Sequence, residues 1–210
     1  DYLELRTVEW LFANFFTYFI FALIVIFQAE IRRGLAHLGG EGFLNRFTSS
    51  KSREQFGEIV LAATGLSNHG IGALIVVERN IGLKNYIERG IKLDAYLTYD
   101  LLVTIFNPKS PLHDGAVIIQ GTHVAAAACF LPLTLDPDLS KKLGSRHRAA
   151  IGIAEETDAV AVVISEETGE ISAVIEGKIT RDLDGPQLLK VLQKAFEAPG
   201  MSSSEEDEEK

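Results

Sequence analysis

Apolar residues crowd the start of this chain and then settle into shorter, regularly spaced groups. From Trp10 to Phe27 the run WLFANFFTYFIFALIVIF has only Asn14 and Thr17 as clearly polar side chains in 18 positions. At about 1.5 Å per residue such a helix just reaches across a hydrocarbon layer of roughly 30 Å. It is apolar on every side, which predicts one N-terminal transmembrane helix with Trp10 and Tyr18 as interface anchors; a buried core helix is the alternative. No basic start and no small-residue cleavage site mark it as a signal peptide. Arg32 and Arg33 follow at once, and the bias of basic residues toward the inner face places everything downstream in the cytoplasm. Phe27, Ile31, Leu35 and Leu38 keep helical spacing, so the helix is expected to run on as a stalk. Gly39-Gly40-Glu41-Gly42 ends that pattern, and Asn45 to Lys51 reads as a polar linker.

Beyond the linker the periodicity changes. Ser52-Arg53-Glu54-Gln55 has the form of a capping box, and Phe56, Ile59, Val60 and Ala63 give the helix after it an apolar face. Ile71 to Val77 is a short apolar run that predicts a strand buried on both sides. A second strand is predicted over Ile91 to Leu97, with a helix through Ile105. Ala116 to Ile119 and His123 to Phe130 read as two strands joined at Gln120-Gly121-Thr122. Ala159 to Ser165 and Ile171 to Ile175 read as another pair, turning at Glu166-Glu167-Thr168-Gly169. A last helix opens at Gly185-Pro186, with Leu188, Val191, Leu192, Ala195 and Phe196 on its inner face. The fold class is therefore α/β: a mixed central β-sheet flanked by helices, preceded by the transmembrane helix. Residues 1–50 read as the membrane helix and stalk, 51–198 as the α/β domain, and 199–210 as an acidic tail.

Composition adds three limits. The net charge of −9 argues against general nucleic-acid binding, which needs a basic face. Part of that charge lies in the terminal run from Ser202 to Lys210, which cannot bury apolar surface and is expected to be a disordered tail. The single cysteine, Cys129, rules out an intrachain disulfide and reads as a buried small hydrophobe. The chain begins at Asp1 rather than methionine, which reads as part of a longer protein.

Three stretches can carry chemistry. Asn107 to Leu112 is turn-forming and delivers His113-Asp114-Gly115-Ala116 to the mouth of a strand. Asp114 can accept a proton or hold a metal, and glycine lets a ligand approach the backbone; a turn aspartate bonding its own backbone is the competing reading. Gly144-Ser145-Arg146-His147-Arg148 reads as a helix start with Ser145 at the cap. Free N–H groups and the positive helix end favour an anion there, and Arg146 and Arg148 suit forked phosphate contacts. Positions two apart do not share a helix face, so one arginine is expected to meet the ligand while the other structures the loop; a solvated basic turn is the alternative. Ser165-Glu166-Glu167-Thr168-Gly169 is most simply a hairpin turn with glycine left-handed, though its carboxylates could also hold a divalent cation. No Walker loop, dinucleotide fingerprint, zinc spacing or Ser-His-Asp order is present.

Taken together, LHDGAVIIQG (Leu112 to Gly121), GSRHRAAIGI (Gly144 to Ile153) and VISEETGEIS (Val163 to Ser172) resemble the diadenylate cyclase domain. With the apolar segment and FQAEIRRGLAHLG (Phe27 to Gly39), the chain resembles the membrane-anchored CdaA type over roughly residues 2 to 196. The resemblance implies that two ATP give cyclic di-3′,5′-AMP and two pyrophosphates, at a site formed by two facing domains of a homodimer. It implies catalytic roles for Asp114, which would orient or deprotonate the 3′-hydroxyl, and for Arg146, His147 and Arg148 around the phosphates. Gly115, Ala116, Phe130, Leu131, Ser145 and Ser165 would bind substrate, with Phe130 and Leu131 on the adenine side. Glu167 and His113 would contact a divalent metal, which is magnesium, manganese or cobalt in the family. It further implies a bacterial cell-membrane location with the catalytic domain in the cytoplasm, and room for regulatory protein partners. Ser145 stands where the family usually has threonine, and only the last of the family's three membrane helices is present.

Overall fold

The computed structural model describes residues 15–28, 50–136 and 143–197, and the chain divides into two compact units, Asp1–Gly40 and Glu41–Lys210. In the first unit residues 15–26 are helical, and every described side chain there is exposed. Among the described residues no helix is long and apolar enough to cross a membrane. The predicted span from Trp10 to Phe27 lies partly outside the described residues, as do the stalk beyond residue 28 and the acidic tail.

The second unit is built in the order α1 (Ser50–Asn68), β1 (Ala73–Val77), α2 (Lys84–Ile87), β2 (Ile91–Tyr96), α3 (Tyr99–Phe106), β3 (Ala116–Gln120), β4 (His123–Cys129), α4 (Ser145–Glu156), β5 (Val160–Ile164), β6 (Ile171–Ile175), β7 (Lys178–Thr180) and α5 (Gly185–Phe196). The seven strands form one sheet in the order β2-β4-β3-β1-β5-β6-β7. β1 and β3 are parallel and every other neighbouring pair is antiparallel, so the sheet is mixed, as expected.

The sheet is covered on both faces, which explains why its central strands are continuously apolar. Ala73, Ile75 and Val77 of β1 join Phe56, Ile59, Leu66, Leu102, Leu188 and Leu192 in one core. The alternate residues Leu74 and Val76 join Ala150, Ile151 and Ile153 of α4 in the other. Period-2 alternation therefore divides one strand between two cores. Each fully buried Ile or Leu contributes about 1.5–3 kcal/mol by leaving water.

Several boundaries differ from expectation. α1 begins at Ser50, so Ser52 lies inside the helix and is not its cap. The one-turn helix α2 and the three-residue strand β7 are too short to show any periodicity. α5 starts where Gly185-Pro186 suggested. Asp184 caps it, accepting from the Gln187 N–H while the Gln187 side chain accepts from the Asp184 N–H.

The sheet end away from the polar motifs is tied by two carboxylates. Buried Glu78 accepts from the Leu83 N–H and from Gln120 Nε2. Asp158 accepts from the Asn80 and Ile81 N–H groups and from Asn80 Nδ2. They bind the turn after β1 in place without offering an open site.

Candidate functional site

The other end of the sheet gathers the polar motifs. β1 and β3 begin there while the antiparallel β4 and β5 finish there. Ala73 lies opposite Ile164 and Ala116 opposite Cys129, so the flanking residues Gly72, Ser165, Gly115 and Phe130 share one edge. α4 also starts at this edge. Its N-cap is Gly144, not Ser145 as expected, and no side chain caps it. The first-turn N–H groups are therefore left for a ligand, and Ser145 is the first helical residue with an uncommitted hydroxyl.

Two cavities meet across Ser145 and Arg146. One, of about 250 Å³, is bounded by Asp114, Gly115, Ala116, Phe130, Leu131 and Ala149. The other, of about 540 Å³, is bounded by His147, Ser165, Glu166, Glu167, Glu170 and Arg181. Ser145 and Arg146 line both. The first is bordered largely by small and apolar side chains beside Asp114, and the second sets Arg146 and Arg181 against Glu166, Glu167 and Glu170.

Gly115 and β4 shape the first cavity. Gly115 has φ +119°, and a Cβ on it would lie 2.9 Å from the Ala128 carbonyl carbon, so only glycine fits. Across from it Ala128 has φ 51°, and the β3–β4 register shifts between Ala116 and Ile118. This irregularity sets where Phe130, which is 68 % exposed, leaves the sheet. Asp114 is exposed and makes no hydrogen bond among the described residues. The alternative of a turn aspartate tied to its own backbone is thus set aside. Cys129 also borders this cavity, but burial pushes its thiol up to about 11.

In the second cavity Arg146 Nη1 lies 2.8 Å from Glu166 Oε2. Gly72 forms the floor beneath this pair: a Cβ there would stand 2.6 Å from Arg146 Nη1 and 2.9 Å from Glu166 Cβ. Arg148 has turned away. It lines neither cavity, its Nε is buried without a partner, and its carbonyl accepts from the Thr134 N–H. One arginine thus meets the cavity while the other supports the loop after β4, as their spacing required. His147 is half-buried, and its pKa is lowered from 6.5 by burial first and by the Arg181 charge second, with Glu170 opposing. It is therefore a neutral hydrogen-bonding group near neutral pH rather than a third cation.

The Ser165–Gly169 turn is held from within. Ser165 Oγ accepts from the Thr168 N–H, the Gly169 N–H donates to the Ser165 carbonyl, and Gly169 has φ 72°, the left-handed glycine expected. Ser67 Oγ donates to the Gly169 carbonyl and ties the turn to the end of α1. Glu166 and Glu167 stay exposed at its tip. His113 lies elsewhere: its Nδ1 is 2.6 Å from the Ser110 carbonyl and it borders neither cavity.

Among the described residues no three His, Cys, Asp or Glu side chains gather to hold a metal by themselves. The carboxylates around the larger cavity fit a different arrangement, in which a magnesium-like ion takes one or two carboxylates and fills its sphere with phosphate oxygens and water. Sequence reasoning missed Arg181, the second cation lining this cavity. It follows β7, and no motif joins it to the other residues.

The family model described as DisA bacterial checkpoint controller nucleotide-binding matches residues 60–179. The diadenylate cyclase of Listeria monocytogenes is 47 % identical over 193 residues, 90 % of this chain and 71 % of that protein. The cyclic di-AMP synthase CdaA of Bacillus subtilis is 43 % identical over 199 residues, 93 % of this chain and 73 % of that protein. The crystal structure of a double mutant of DacA from Staphylococcus aureus superposes with a TM-score of 0.69 at 45 % identity, covering 71 % of this chain and all of that one. A hypothetical membrane spanning protein from Bacillus cereus superposes at 0.60 and 40 % identity, covering 76 % of this chain and 79 % of that one. A nucleotide-sized pair of cavities, the motifs that line them and these relatives agree: the chain belongs to the diadenylate cyclase family of nucleotidyltransferases.

Proposed function

We propose that this chain condenses two ATP into cyclic di-3′,5′-AMP with release of two pyrophosphates, in a centre made by two facing domains. The observation that carries this reading is the junction at Ser145 and Arg146, shared by a base-and-sugar cavity and a phosphate cavity. A nucleotide laid across it puts its α-phosphate at that junction, its ribose beside Asp114 and its outer phosphates toward Glu167 and Arg181.

Each chain then offers a hydroxyl at one edge and an electrophilic phosphorus at the other. Asp114, exposed and free of hydrogen bonds, accepts the proton as the 3′-oxygen bonds to the partner's α-phosphorus and the bond from that phosphorus to the β-phosphate oxygen breaks. Ser145, the free N–H groups of the α4 start and Arg146 stabilise the charge that develops. His147 contributes a neutral hydrogen bond. Arg148 acts from behind, fixing the loop that carries Leu131. Glu167 is the residue we assign to a divalent metal. Such an ion, when bound, neutralises phosphate charge and favours pyrophosphate departure. His113, outside both cavities, is left with the turn.

A single domain cannot supply its own attacking hydroxyl, so activity needs a homodimer. Anchoring at the cell membrane with the catalytic domain in the cytoplasm is part of the same proposal. The apolar run from Trp10 to Phe27 and the basic pair after it support that part.

Asp114→Asn is the direct test. ATP affinity measured by calorimetry should stay within about twofold, because no phosphate contact is lost, while product detected by mass analysis falls by about 100-fold or more, about 100-fold being the lower end of the range for a positioned base. Loss of binding together with activity would make Asp114 structural and remove the carboxylate from the mechanism.

A further inference from the structure

The charge around the phosphate cavity is more negative than an anionic ligand favours, and one further residue offsets part of the excess. Arg146, the cation the motifs identify, is already paired with Glu166. His147 leans toward neutrality and Arg148 lines neither cavity. Glu166, Glu167 and Glu170 meanwhile line this same cavity. A triphosphate entering it would meet three carboxylates against one occupied guanidinium.

Arg181 is the remaining cation on that wall. It sits one residue after β7, which the β5–β6–β7 meander returns to the site end of the sheet, with Thr180 opposite Ala173. Among the described residues it makes no hydrogen bond or ion pair, and it is exposed. It borders the phosphate cavity and the adjoining hollow beside Ser67, Gly169 and Asp182, but not the base-and-sugar cavity. It lies two positions beyond the span matched by the family model, which ends at residue 179. Nothing structural holds this guanidinium, and its planar fork of donors suits phosphate oxygens.

We propose that Arg181 binds the terminal phosphates of the nucleotide, the part that departs as pyrophosphate. The assignment rests on the nucleotide reading above and deepens it: Ser145 and Arg146 hold the α-phosphate at the junction, and Arg181 holds the far end. The triphosphate then meets two guanidiniums in this cavity, and a nucleoside monophosphate touches only one of them.

Binding of 3′-deoxy-ATP, which lacks the attacking hydroxyl, and of AMP is measured by calorimetry with magnesium on the full chain. Arg181→Ala should weaken 3′-deoxy-ATP by about tenfold, the lower range for a charged hydrogen bond at an exposed site, and leave AMP within about twofold. Arg181→Lys keeps the charge without the fork and should recover part of the loss. Unchanged 3′-deoxy-ATP affinity in Arg181→Ala overturns the assignment, and so does an equal loss for AMP, which would mark a structural role. A wild-type chain that binds neither nucleotide fails in a different way: it removes the nucleotide reading itself, and this assignment with it.

Discussion

Replacing Gly72 by alanine separates the stability of this domain from its chemistry. A Cβ at that position would lie 2.6 Å from Arg146 Nη1, 3.1 Å from Arg146 Cζ and 2.9 Å from Glu166 Cβ. All three are side-chain atoms, and Gly72 is not among the positive-φ residues, so the backbone itself accepts alanine. The guanidinium is the far end of a flexible side chain and gives way, but Glu166 Cβ is fixed by its backbone, so the Ser165–Gly169 turn must shift as well, at about 1–3 kcal/mol in all. Melting should therefore drop by about 2–12 °C for a domain of this size. The effect on binding should be larger. Arg146 is only 25 % exposed and lines both cavities, so pushing it off the floor removes the contact proposed for it with the α-phosphate. A charged hydrogen bond contributes about 1.5–3 kcal/mol, which converts to roughly 10- to 150-fold in ATP affinity. Calorimetric titration with 3′-deoxy-ATP beside a thermal melt reads both quantities on one sample. An alanine variant that binds within about twofold of wild type would refute the claim that Gly72 exists to seat Arg146.

Three further outcomes follow from the packing. In Gly152→Ala the new methyl would collide with the Pro132 carbonyl oxygen and stand 2.8 Å from the Pro132 carbonyl carbon; backbone cannot yield as a side chain does, so a loss of about 1–3 kcal/mol is expected in urea unfolding, and an unchanged midpoint would contradict it. Cys129, buried and pushed up to about 11, should resist a thiol reagent near pH 8 in the native chain and react on unfolding; fast native labelling would contradict its burial. His147 has a folded pKa below its ordinary 6.5, so the unfolded chain takes up its proton first; stability is complete above about 6.5 and declines as pH falls through the lower folded value. Urea unfolding of His147→Gln should lose that part of the acid slope, and an identical slope would contradict the burial argument.

The apolar pattern carried most of the fold because the sheet is buried on both faces. Ile71 to Val77 is continuous for the physical reason that alternate residues of β1 enter different cores. Short elements escaped: Lys84–Ile87 is one turn and Lys178–Thr180 three residues, and neither is long enough for a period to appear. Helix starts were legible only to within a residue or two. Gly144 and Ser145 are both acceptable caps, and Ser50 and Ser52 lie equally before an apolar face. The lining of the candidate site was legible where its residues are neighbours in sequence, as in Asp114-Gly115-Ala116 and Ser145-Arg146. Arg181 was not, since only the return of β7 to the same sheet edge brings it to the phosphate cavity. The count of three basic residues at α4 also overstated the charge: burial takes His147 toward neutrality and Arg148 lines neither cavity.

The central claim is that two copies of this chain together make cyclic di-AMP from ATP. Its most direct measurement is mass analysis of the product formed from ATP with magnesium or manganese, with rate per chain followed across a dilution series. Cyclic di-AMP with two pyrophosphates per molecule is expected, at a rate per chain that falls on dilution as facing pairs separate. Absence of that product at dimer-forming concentrations, or a rate per chain indifferent to dilution, would contradict it.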